Sequence, residues 1–442
     1  MRRPAAALAP LIVLCSIAFG PGAVADTPSP SEPSDQSVVA DAAFPTNMAF
    51  APDGRLFYTE KETGNIRIVQ GGKLLDRPFA KLPVQGGGES GLLGLALDPN
   101  FEQTPFVYVY FTSSQDGRNH IARIPASSSD PDVGGPPENL LTLLTASGIH
   151  NGGDLVFGQD GKLYAVVGET GNEAFAQDPA SLGGKILRMN PDGSIPSDNP
   201  FGPDSYVYSL GHRNSFGLCV NPHNGDLWET ENGPSSDDEV NLIEAGKNYG
   251  WPDQLGPAGK PGFVDPKLTF PSIIVPTGCV FDDHAISATS VRPKPGQQLV
   301  FGDFHGDLHS VVLQPPAFDD VQRVTTEAHF PDGITDLKVG PDGDLYAATS
   351  SSIVRIPPGE GVPFSPAAGP SPPVTGGSGS GGGSGGPGLL TIVAIVAALV
   401  LLVVGALVLV SRRRKRRNGA GGKNPPFDAV PQAGPGDAPP EA

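Results

Sequence analysis

One short pattern occurs four times in this chain and limits its fold more than any other feature. Ala51-Pro52-Asp53-Gly54-Arg55-Leu56-Phe57 recurs as Gly158-Gln159-Asp160-Gly161-Lys162-Leu163-Tyr164. It returns as Pro222-His223-Asn224-Gly225-Asp226-Leu227-Trp228 and as Gly340-Pro341-Asp342-Gly343-Asp344-Leu345-Tyr346. Each copy sets an Asp-Gly or Asn-Gly turn between apolar, β-rich runs, the mark of a hairpin. Weaker copies stand at Asp98-Pro99-Asn100 and Gly296-Gln297-Gln298-Leu299. Six hairpin-bearing units in series point to an all-β, six-bladed propeller. A β-sandwich is disfavoured by the length over which the hairpins recur.

The flanks read differently. Residues 1–25 combine Arg2-Arg3, an apolar stretch and Ala23-Val24-Ala25, as in a secretory signal. Residues 26–41, rich in Pro, Ser and Asp, are expected to be a disordered leader, with the propeller over 42–358. A Pro-, Gly- and Ser-rich linker over 359–388 leads to Leu389–Val410, which carries no charge. As a helix that segment would span ~33 Å, enough to cross a bilayer. The basic run Arg412–Arg417 sets that end in the cytoplasm, making 411–442 a cytoplasmic tail. The expected protein is a single-pass one at the cell membrane, with its large domain outside. A net charge of −18 disfavours nucleic acid as a partner. Cys219 and Cys279 lie in apolar strand-like runs, and two buried thiols are expected, with a disulfide the alternative in an oxidising compartment.

Three segments carry candidate chemistry. In His150-Asn151-Gly152-Gly153-Asp154 a histidine beside two glycines puts a proton-transfer group where the chain can approach a bound ring closely. The other two are Gly211-His212-Arg213-Asn214 and Glu231-Asn232-Gly233-Pro234-Ser235-Ser236-Asp237-Asp238-Glu239.

Together with Gly91-Leu92-Leu93-Gly94-Leu95-Ala96, Gly184–Gly193 and Asn248-Tyr249-Gly250-Trp251-Pro252, these segments resemble the glucose/sorbosone dehydrogenase family. These are quinoproteins that oxidise aldose sugars with pyrroloquinoline quinone (PQQ) and calcium. The resemblance runs from about Phe44 to Pro357 and itself implies a six-bladed propeller. It implies that His150 takes the proton from the anomeric hydroxyl, with Glu169 in the place of a carboxylate that is usually Asp. Arg213 and Asn214 match residues that bond the quinone oxygens, and Glu89 joins them in the cofactor-binding set. Gly233 and Pro234 match positions whose carbonyls hold calcium, and Asp238 and Glu239 match carboxylates linked to further calcium. A sugar substrate and an external electron acceptor follow from the same resemblance.

The sequence departs from the family pattern where the quinone's three carboxylates would be bound. An Arg-x-Arg-Asp-Val motif is replaced by Gly333-Ile334-Thr335-Asp336-Leu337, and a lysine of the preceding blade is absent from Gly302-Asp303-Phe304-His305. His305 is a substitute by charge, whereas Lys338 should point away by strand alternation. The alternative to an enzyme is therefore a cell-surface propeller that keeps the scaffold and acts as a binding module.

Overall fold

The computed structural model describes residues 37–284 and 294–357. The expected signal, most of the leader, the linker, the membrane span and the tail lie outside the described residues. Among the described residues no helix is long and apolar enough to cross a membrane.

Six antiparallel sheets follow one another along the chain. Their first strands are Pro45–Phe50, Leu92–Leu97, Gly152–Phe157, Ser215–Val220, Pro276–Phe281 and Ile334–Val339, the inner strands of blades 1 to 6. These inner strands pack side by side around an axis, and the ring closes where that of blade 6 meets that of blade 1. In blades 1, 3, 4 and 6 the turn predicted from the repeat joins the inner strand to the second strand, and the weaker copy at Asp98-Pro99-Asn100 follows the inner strand of blade 2.

The turn chemistry explains the repetition. Backbone amides of Arg55, Lys162, Asp226 and Asp344 bond the side-chain oxygens of Asp53, Asp160, Asn224 and Asp342, each two residues earlier. The glycine between them has a positive φ in every copy, 86° at Gly54 and 82° at Gly343, which a residue with a Cβ rarely adopts.

The sheet begins earlier than expected. Ser37–Val39, read from sequence as leader, pairs with Ile353–Ile356 and forms the outer strand of blade 6. The two ends of the ring are thereby joined by backbone hydrogen bonds, and an otherwise open sheet edge is covered.

The apolar core is divided into six clusters, one between each pair of neighbouring blades. Second strands such as Leu163–Val167 and Leu345–Thr349 are buried at every residue, because both faces of the sheet are covered by adjacent blades. Cys219 and Cys279, expected as separate thiols, are joined in a disulfide. Inner strands of blades 4 and 5 lie side by side and bring the two Cα atoms to 5.7 Å, within reach of the bond.

Candidate active site

Inner strands begin, and second strands end, on the same face of the ring, opposite the repeated turns. Residues just before an inner strand and just after a second strand therefore meet at one mouth. Glu89, His150, Arg213 and Asn214 are of the first kind, and Glu169 and Asn232 of the second.

His150 has a φ of 53°. Its carbonyl accepts from Thr170 N at 2.9 Å and lies against Gly168, where an added Cβ would come within 2.1 Å of it. Glycine at 168 thus permits the close approach that turns the imidazole toward Glu169. His150 Nδ1 stands 2.5 Å from Glu169 Oε1, with the two side chains 15% and 3% exposed. Glu169 Oε2 is buried without a partner. With Nδ1 engaged, Nε2 is the ring nitrogen left to meet a ligand.

The other predicted residues connect to this pair. Glu169 N donates to Arg213 O at 3.0 Å, and Gly152 N donates to Asn214 Oδ1 at 3.3 Å. Glu89 Oε2 accepts from Asn214 Nδ2 at 3.1 Å and from Asn151 N at 3.3 Å, tying the loops before three inner strands together. Arg213 N donates to Glu231 Oε1, and Arg213 Nη1 donates to the carbonyls of Asn232 at 2.9 Å and Gly233 at 3.0 Å. Its guanidinium lies 5.3 Å from the Trp251 ring, and Nε is buried without a partner. Burial lowers its pKa from the ordinary value, opposed by the carboxylates of Glu169, Glu231, Glu89 and Asp238.

The expected calcium ligands already make contacts within the protein. The Gly233 carbonyl already accepts from a guanidinium. Asp238 is fully buried; Oδ1 accepts from Gly233 N at 2.7 Å, and Oδ2 accepts from Ile274 N and Val275 N at 2.7 and 2.8 Å. Its role here is to clasp the 233–238 loop onto the start of blade 5. Glu239 accepts from Gly256 N at 3.0 Å and Asn241 Nδ2 at 3.2 Å. Burial, then the charge of Glu231, raises its carboxyl to about 8. Pro234 lines the cleft beside Arg213 and Trp251.

A cavity of about 310 Å³ opens at the mouth beside Gly152 and Gly153. Phe44, Phe216, Phe304, Leu93 and Val275 give it apolar walls, and its charged lining is Lys61, Glu89 and Asp154. Lys61 is paired with Glu62 at 2.8 Å. Thr335 lines the cavity without a charge, and an ideal Cβ on Gly333 would sit 2.4 Å from the Phe304 carbonyl. His305 is exposed and not part of the lining. Lys338 is held 2.6 Å from Asp336 and is likewise not part of it.

The imidazole–carboxylate pair and Arg213 suit the redox end of PQQ. For its three carboxylates the lining offers one cation, Lys61, already paired with Glu62, and a desolvated carboxylate without a cation costs several kcal/mol, by rough estimate. The carbonyls of Gly233, with one lone pair taken by Arg213, and of Pro234 are the oxygens that would hold calcium here. Sequence reasoning missed the aromatic walls; Phe44, Phe216 and Phe304 come from three different blades, so no local motif marks them.

The His150–Glu169 pair thus stands at the mouth of a closed six-bladed ring. The chain belongs to the Glucose / Sorbosone dehydrogenase family, which it matches over residues 42–356. It is 34% identical over 266 residues to quinoprotein glucose dehydrogenase B of Acinetobacter calcoaceticus, covering 53% of this chain and 55% of that protein. The chain thus spans about half the length of this curated relative. Among solved structures, a putative oxidoreductase (glucose dehydrogenase) of Thermus thermophilus has a TM-score of 0.65 at 37% identity, covering 72% of this chain and 98% of that one. The PQQ-bound aldose sugar dehydrogenase of Streptomyces coelicolor has a TM-score of 0.64 at 30% identity, covering 72% and 95%.

Proposed function

We propose that the mouth of this propeller oxidises an aldose at its anomeric carbon to the lactone, with His150 as the base. The observation that carries this reading is the 2.5 Å contact between His150 Nδ1 and the buried Glu169. Glu169 holds the Nδ1 proton and steadies the imidazolium once Nε2 has taken the hydroxyl proton. The anomeric hydrogen leaves as hydride to a two-electron acceptor, and Arg213 supplies positive charge beside the mouth. PQQ is supported by the PQQ-bound Streptomyces relative and opposed by the scarcity of cations in the lining, and calcium rests on the family resemblance alone, so no step is assigned to either. We place the domain outside the cell membrane, a reading supported by the Cys219–Cys279 disulfide and by the apolar run 389–410 before its basic cluster.

The test is aldose-dependent reduction of a dye acceptor by the full chain, with and without PQQ and calcium. Activity should collapse in His150→Ala; unchanged activity would remove His150 from the chemistry. A second reading, a binding module, is favoured by the uncharged Gly333 and Thr335. Calorimetric titration with PQQ and calcium separates the two: tight, calcium-dependent binding rules out the module.

A further inference from the structure

Beneath Arg213, blade 4 buries a second set of side chains that the proposed sugar chemistry does not use. Glu229 and Glu231 stand two residues apart on the strand Leu227–Glu231 and so share one face. The neighbouring strand Asp238–Ile243 pairs Asn241 with Glu229 and Glu239 with Glu231, placing all four on that face. His212 enters from the loop before Ser215–Val220, and its Nδ1 lies 2.9 Å from Glu229 Oε2 and 3.4 Å from Glu231 Oε2. All three donor atoms fall within 4.8 Å of one another. His212, Glu229 and Glu231 are 2%, 0% and 5% exposed.

Most outward-facing atoms of this cluster have conventional partners. Glu229 Oε1 accepts from Ser215 Oγ, Glu231 Oε1 accepts from Arg213 N, and His212 Nε2 meets Ser209 Oγ at 2.8 Å. The inward atoms do not. His212 Nδ1 is ion-paired with both carboxylates, which against the effect of burial raise its pKa to about 9, yet it makes no well-aligned hydrogen bond to either. Asn241 Oδ1 is also buried without a partner. Asn241 Nδ2 is spread over three carboxylates at 3.2 to 3.5 Å. A ring nitrogen and two carboxylate oxygens therefore surround a common point without bonding one another well.

We infer that His212 Nδ1, Glu229 Oε2 and Glu231 Oε2 form a binding site for a divalent transition cation of the zinc class. Their separations of 2.9 and 3.4 Å are close to the roughly 3.3 Å between ligands of a tetrahedral site with bonds near 2.05 Å. An imidazole ligand and only three inward donors suit zinc better than calcium, which takes about 6–8 oxygens. Rotation of the Asn241 amide brings Oδ1 inward as a fourth ligand. The ion offsets buried negative charge that one imidazole and one amide otherwise face alone. It also braces the loop carrying Arg213 and Asn214, since Glu231 holds the Arg213 amide and Glu229 the Ser215 hydroxyl. None of this depends on which reaction the mouth performs.

The test is metal analysis of the full chain after chelation and reloading with zinc alone, followed by calorimetric zinc titration. Wild-type protein is expected to hold about one equivalent, with affinity falling in Glu229→Gln by more than the roughly 10–100-fold that loss of an outer-shell partner alone would cost. Glu229→Gln keeps the side chain's shape, so it separates lost ligation from lost folding. Cobalt loaded in place of zinc should show a visible absorption band in the wild type that is absent from His212→Gln and kept in His150→Ala. A chelated chain that takes up no zinc overturns the inference and leaves His212 as an ionic cross-link. So does zinc binding that survives Glu229→Gln but is lost in Asp307→Asn, which would place the ion in the Asp303–Asp307–His309 cluster of blade 5.

Discussion

Glu169 holds the Nδ1 of His150 with one oxygen, at 2.5 Å, while its other oxygen is enclosed and meets no donor. A carboxylate in that state is anchored through the imidazole more than by its surroundings, so the two side chains act as a unit. Glu169→Gln replaces an acceptor for the Nδ1 proton by an amide that offers weaker orientation and no charge. The expected result is a fall in kcat of about 10²–10⁴-fold with KM little altered. Steady-state kinetics on an aldose would check this, and a kcat within twofold of the parent would detach Glu169 from the reaction.

The cavity wall explains why PQQ's carboxylates are poorly served, and it indicates a repair. Gly333 cannot accept a side chain without displacing the Phe304 backbone, but Thr335 faces the cavity and spends its hydroxyl only on the Pro45 carbonyl, at 2.7 Å. Thr335→Arg adds a forked cation to an apolar wall, where a charge-assisted bond to a carboxylate is strong. Calorimetry should show PQQ binding at least about tenfold tighter, with the gain shrinking as salt is raised. No change in Kd would mean that the quinone, if bound, does not turn its carboxylates toward blade 6.

The disulfide bridges a sequence separation of 60 and ties blades 4 and 5 at their inner strands. Removing it with Cys219→Ser/Cys279→Ser frees the unfolded chain more than the folded one. The expected loss is about 2–4 kcal/mol of stability, seen as a lower midpoint in urea. Reductant should move the parent toward the variant and leave the variant where it is.

The sequence carried the scaffold more fully than the site. Asp53-Gly54, Asp160-Gly161, Asn224-Gly225 and Asp342-Gly343 each solve the same backbone problem in the same few residues, so the repetition of blades is legible in the sequence. His150, Glu169, Arg213, Asn214 and Glu89 also came together as expected, because strand ends on one face of a ring must meet. Other features depended on contacts between distant segments. Ser37–Val39 becomes a strand only because Ile353–Ile356 offers it an edge. Cys219 and Cys279 bond because neighbouring blades align them, and no spacing rule expresses that. Asp238, which the resemblance matches to a calcium-linked carboxylate, accepts with both oxygens from three backbone amides of two segments, contacts that no local pattern announces.

Along the axis lies a further consequence of ring geometry. Lys338 is bound to Asp336 at 2.6 Å; Asp336 also accepts from Met48 N at 2.8 Å, linking blade 6 to blade 1. Asp154 accepts from Asn47 Nδ2 and Leu218 N, linking blade 3 to blades 1 and 4. Burial raises the Asp336 carboxyl to about 6; Lys338 opposes the rise and Asp154 adds to it. Between the ordinary carboxylate value of 3.8 and about 6, the native chain keeps a proton that the unfolded chain has released. Stability from this group therefore falls as pH rises through that window and is level above it. Asp336→Asn should flatten the slope while keeping the bond from Met48 N. Lys338→Met leaves buried carboxylates without their cation, which costs about 3–5 kcal/mol near neutral pH and carries the falling slope above pH 6. Urea unfolding of the three proteins at pH 4.5, 6 and 8 measures both effects, and parallel curves for parent and Asp336→Asn would show that this carboxyl does not set the slope.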